Sequence, residues 1–126
     1  MRPSPAILAS LLAAAVLTGC DTTDACPQYE APGLVLEVRD SVTGAGLAPS
    51  ALIIASESGS AGADTMRWIP NADSAIVIGL AGRSGSFALS VTVPGYQPWQ
   101  DAALMIHENA CSQPVTVETT ALMQLP

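Results

Sequence analysis

Residues 86–93, Ser86-Phe87-Ala88-Leu89-Ser90-Val91-Thr92-Val93, decide how the chain reads. Phe87, Leu89, Val91 and Val93 share one parity, and Ser86, Ala88, Ser90 and Thr92 share the other. A period of two puts one set on a buried face and the other toward solvent, which is a half-buried β-strand. Gly82-Arg83-Ser84-Gly85 precedes it and Pro94-Gly95 follows it, so turn chemistry bounds it on both sides.

The same period recurs on either side. Leu34, Leu36 and Val38 alternate with Val35, Glu37 and Arg39, giving a first strand over residues 33–40. Asp40 to Gly46 is a turn, and Ala51 to Ala55 an apolar second strand. Ser56 to Asp64 has loop composition. Met66 to Ile69 is read as a short strand stopped by Pro70, and Ala75 to Leu80 as a β-branched one. Tyr96 to Ile106 follows, with Pro98 marking an edge or a late start. Val115, Val117, Ala121, Met123 and Leu125 share a parity in the last strand. Seven short strands and no convincing helix predict an all-β fold, a small seven-stranded β-sandwich. The expected core is Leu34, Leu36, Val38, Ile53, Phe87, Leu89, Val91, Val93, Val117 and Met123.

With 126 residues the chain fits one domain, and 49% hydrophobic against 12% charged residues excludes a polar disordered chain. There is no lysine, and the formal net charge is −7. Nucleic acid is excluded as a partner, because Lys and Arg must neutralise its phosphates.

The N-terminus reads as an address. Met1-Arg2 is followed by an apolar run from Ala6 to Leu17 broken only by Ser10, too short to span a bilayer. It ends in Leu17-Thr18-Gly19-Cys20, which resembles a bacterial lipobox. That resemblance implies acylation of Cys20 and cleavage just before it. Residues 1–19 are then a lipoprotein signal peptide, 20–32 a lipidated tether, and 33–126 the sandwich. The expected location is the cell envelope, with the domain held at the membrane by its lipid on the periplasmic or surface face. Cys26 and Cys111 remain, and export favours their pairing. Each lies just before a terminal strand, so a bond between them requires the first and last strands to run side by side and parallel.

Several motifs together resemble the carboxypeptidase regulatory-like domain, a β-sandwich of the transthyretin-like, immunoglobulin-like group. They are Val38-Arg39-Asp40, Thr43-Gly44, Leu47-Ala48-Pro49 before Ala51-Leu52-Ile53, then Gly85-Ser86-Phe87, Leu89, Val91 and Gly95-Tyr96. The resemblance covers residues 33–126. Two departures are the longer segment 57–80 and Ser112 after Cys111, where exported members often have histidine. It implies a non-catalytic accessory or binding domain.

The residue inventory agrees with that implication. His107 is the sole histidine, and His107-Glu108 beside Cys111 reads as a solvated loop. No G-x-S-x-G elbow, P-loop or dinucleotide fingerprint occurs. Glu57, Asp64, Asn71 and Asp73 match no calcium loop. No enzyme activity, metal or cofactor is expected. The function expected is that of a non-enzymatic envelope lipoprotein with a binding or structural role and an unidentified envelope protein or polysaccharide as partner. The alternative is a carbohydrate- or peptide-binding module using the 57–80 segment and Trp68. Candidate ligand contacts are Trp68, Tyr96 and Trp99, since aromatics on a sandwich stack on sugars or anchor partners.

Overall fold

Alternation fixes the first strand. β1 (Leu34–Asp40) buries Leu34, Leu36, Val38 and Asp40 and leaves Val35, Glu37 and Arg39 half-buried on the outer face. The computed structural model describes Cys26, residues 29–59 and residues 62–126. The other strands are β2 (Leu52–Glu57), β3 (Ala63–Met66), β4 (Ile76–Gly79), β5 (Gly85–Thr92), β6 (Trp99–Ile106) and β7 (Val117–Met123). A 3-10 turn, Ala48–Ser50, precedes β2.

Two sheets face each other, one in the order β4-β1-β7 and the other β3-β2-β5-β6. The chain is thus an all-β, seven-stranded sandwich. β1 and β7 run parallel in unbroken register from Leu34↔Val117 to Asp40↔Met123. The remaining pairs are antiparallel. Cys26 and Cys111 are disulfide-bonded with Cα atoms 5.5 Å apart, so both cysteines lie at the end where β1 and β7 begin.

Nine of the ten expected core residues are buried, with Phe87 at 0% exposure. Val117 is the exception: it opens β7 at the rim of the sheet and is half-buried against the core. Met66, Val77, Leu104, Ile106 and Ala121 join the core as well.

The third strand lies earlier than Met66–Ile69. It pairs with β2 through Ile53↔Met66, Ile54↔Thr65, Ala55↔Asp64 and Ser56↔Ala63. β2 therefore extends to Glu57, and the expected loop from Ser56 to Asp64 shrinks to residues 58–62. Only Met66 on β3 points into the core, so its alternation has a single apolar member to announce it. Met66 reaches across to the other sheet, where a Cβ on Gly79 would lie 2.5 Å from its Cε. The glycine lets the seam between β3 and β4 close.

β6 begins at Trp99, after Pro98, and not at Tyr96. A bulge against β5 steps the register from Phe87↔Leu104 to Leu89↔Asp101. The extra residue in β6 resets its parity, so Trp99 and Leu104 both face inward although they are five positions apart. The Asp101 carboxylate accepts the Ala103 N–H within the bulge at 3.1 Å.

Candidate functional site

The sandwich has two chemically different ends. At the disulfide end, Gly33 packs so closely that an added Cβ would lie 2.7 Å from the Leu80 carbonyl oxygen. That carbonyl accepts the N–H groups of Gly33 and Arg83, both at 3.0 Å. Arg83 is thereby set over the Phe87 ring, 5.4 Å from its centroid. Its guanidinium pairs with Glu57 at 3.2 Å and with Asp64. One cation thus covers the core and neutralises two carboxylates, an arrangement that suits structure. Glu57 and Asp64 sit here while Asp73 sits in the loop before β4, so the four oxygen-bearing residues weighed for calcium are not gathered. Among the described residues no group of three metal-ligating side chains is close enough to hold an ion. His107 and Glu108 are exposed on the loop before β7, and Glu108 meets Ser84 Oγ at 3.5 Å.

The opposite end carries all three candidate aromatics. Asp40, 8% exposed, is the buried charged residue of the core face. Its Oδ1 accepts the Val42 and Thr43 N–H groups at 2.7 and 2.9 Å, which shapes the turn after β1. The Tyr96 hydroxyl donates to its Oδ2 at 2.6 Å. Tyr96, then the Thr43 and Val42 N–H groups, hold the Asp40 carboxyl down to about 2. The carboxylate in turn, together with burial, raises the Tyr96 hydroxyl above the ordinary tyrosine value. Tyr96 is a structural brace whose polar tip is engaged.

Trp68 is half-buried against the core, and its indole N–H donates to the Asp73 carbonyl at 2.9 Å. Asp73 Oδ1 accepts the Ala75 N–H at 2.8 Å. Residues 68–75 are thereby folded on themselves, with Trp68 pinning its own loop. Beside it, Ile69, Ala72, Asp73, Ile76 and Ile78 line a mostly apolar hollow of 260 Å³.

Trp99 differs. It lines an open cleft of 230 Å³ between the start of β6 and the end of β7, with Gln97, Pro98, Gln100, Leu122 and Gln124. The cleft is braced by the Gln97 N–H, which donates to the Gln124 carbonyl at 2.8 Å. Gln97 Nε2 donates to the Leu125 carbonyl at 3.2 Å. Three amides around one indole were not singled out in the sequence, because Gln124 is remote from Gln97 and Gln100 along the chain. The Gln97-Pro98-Trp99-Gln100 run was the signal available.

Cys20 and the expected signal peptide lie outside the described residues, as does most of the tether. Cys26 and Cys111 are brought together, and Trp68, Tyr96 and Trp99 share one end without forming a single site. A comparison with known proteins found no family model and no curated protein that matches this chain.

Proposed function

We propose that the protein is a non-catalytic, lipid-anchored module of the cell envelope, built on a carboxypeptidase regulatory-like sandwich. The observation that carries this reading is the placement of Cys26. It follows the lipobox-like Leu17-Thr18-Gly19-Cys20 by six residues and is bonded to Cys111. A disulfide belongs to an exported domain, and the lipobox supplies both export and anchor. Six residues span at most about 20 Å, so the disulfide end faces the bilayer and the aromatic end faces away. The family reading is supported by Asp40 and Tyr96: they belong to separate motifs of the resemblance, and one hydrogen bond joins them.

The residue inventory supports the non-catalytic reading. A nucleophile, a base and a charge stabiliser must stand in mutual reach. The one histidine is exposed, Arg39 and Arg83 are engaged with Glu37, Glu57 and Asp64, and Arg67 is exposed after β3, at the end of the sandwich opposite His107.

The test is metabolic labelling with a palmitate analogue. The wild type should incorporate label and fractionate with membranes. Cys20→Ala should lose the label and accumulate as the unprocessed chain. A Cys20→Ala protein that is still cut and still membrane-bound refutes the anchor. Turnover of ester, peptide or glycoside substrates that His107→Ala abolishes refutes the non-catalytic role.

A further inference from the structure

The Trp99 cleft has a chemistry of its own, and what it implies holds whether or not Cys20 is acylated. Its lining offers one indole, the amides of Gln97, Gln100 and Gln124, and the apolar surfaces of Pro98 and Leu122. It contains no charged side chain. Gln97 is held by its bonds to Gln124 and Leu125, which leaves its Oε1 as a fixed acceptor. Among the described residues the side-chain amides of Gln100 and Gln124 and the indole N–H of Trp99 have no hydrogen-bond partner. A half-buried indole ordinarily finds a partner for its N–H, as Trp68 does at Asp73.

These groups define what fits. An anionic polymer meets no cation in the cleft and a chain of net charge −7. A cation meets no carboxylate there. A wholly apolar molecule leaves the Gln100 and Gln124 amides and the Gln97 Oε1 facing it without partners. A neutral polyhydroxylated ring satisfies all of them. Each amide carries both donors and an acceptor, as vicinal hydroxyls require, and the C–H face of a sugar packs on an aromatic ring. We propose that the Trp99 cleft is a binding subsite for a neutral saccharide, with Trp99 as the apolar contact and Gln97, Gln100 and Gln124 as hydroxyl ligands. With a volume of 230 Å³ the cleft is a subsite for a single ring rather than for a long oligosaccharide. It opens at the end of the sandwich opposite the disulfide.

A subsite of this size binds weakly, with Kd of about 1 mM. The experiment is a titration of the purified, isotope-labelled protein with cellopentaose, maltopentaose, mannopentaose and chitotetraose, following the two indole N–H resonances. Tetragalacturonate and a neutral hexapeptide serve as the opposing probes. At least one neutral oligosaccharide should shift the Trp99 indole saturably and leave that of Trp68 in place. Gln100→Ala with Gln124→Ala, both on exposed side chains, should weaken binding about ten-fold, equivalent to about 1.4 kcal/mol, with the fold intact by circular dichroism. Three results overturn the proposal: no neutral oligosaccharide moves Trp99, binding is unchanged in the double variant, or tetragalacturonate or the peptide binds as tightly.

Discussion

Gly79→Ala tests how the two sheets are joined along the β3–β4 seam. The new Cβ would lie 2.5 Å from Met66 Cε, 2.9 Å from Cγ and 3.0 Å from Sδ. Cε can swing aside, but moving Cγ requires a different χ1 rotamer, and Met66 is buried on the seam where such a change is crowded. Overpacking of this kind costs about 1–3 kcal/mol. The backbone adds no penalty, because Gly79 is not among the glycines with positive φ. Alanine there instead removes freedom from the unfolded chain, which returns about 0.4–1 kcal/mol. The net loss expected is about 1–2 kcal/mol. Urea unfolding followed by tryptophan emission reads it as a lower midpoint at unchanged slope. Met66→Ala alone should lose about 2–5 kcal/mol by leaving a cavity. In that background Gly79→Ala should cost nothing or stabilise, since the clash partner is gone; the coupling is the diagnostic quantity. A Gly79→Ala protein as stable as wild type, with no coupling to Met66, would refute the packing of β3 across β4.

Phe87→Ala should lose about 3–5 kcal/mol in the same assay, and Arg83 should lose the ring it covers; a change below half a kcal/mol would mean that the β5 register is shifted by one. Reducing the Cys26–Cys111 bond, which closes a loop of sequence separation 85, should lower stability by roughly 4–5 kcal/mol in the chain-entropy view, measured by unfolding with and without reductant. The Asp40 carboxyl is depressed from 3.8 to about 2, so its contribution is complete above pH 4 and disappears as pH falls through 2. Acid unfolding should show that loss in the wild type; Tyr96→Phe should flatten it, because the hydroxyl is the largest cause of the shift, and an unchanged acid limb would refute the bond.

How much was legible depended on how many side chains reported each element. β5 has three buried apolar residues in perfect alternation, and its reading holds in the structure. β3 has only Met66 to declare its face, so the reading slid onto the apolar Trp68-Ile69, which the fold uses to close a loop. β6 hides its phase behind a bulge, a feature of pairing that no single-strand periodicity encodes. The parallel pairing of β1 and β7 was legible through the two cysteines, since a bond between them leaves the flanking strands few arrangements. The cleft around Trp99 was not, because proximity of Gln100 to Gln124 is a product of two strands meeting at one end of the sandwich.

The disulfide also determines how the domain responds to being pulled. Tension applied between the segment before Cys26 and Pro126 does not travel through β1. It crosses from Cys26 to Cys111, passes residues 112–116 and stretches β7 along its own length, from Val117 to Met123. β7 is already extended, so it has almost no slack to give. The other six strands stay outside the load path, but the Trp99 cleft does not, because Leu122, Gln124 and the bonds from Gln97 to Gln124 and Leu125 lie on it. Once the bond is reduced, the same tension enters through β1 and slides it against β7, loading the whole register from Leu34↔Val117 to Asp40↔Met123 at once. In the oxidised state the domain acts as a bead threaded on a single strand, and in the reduced state as a clamp that has to slip before it unravels.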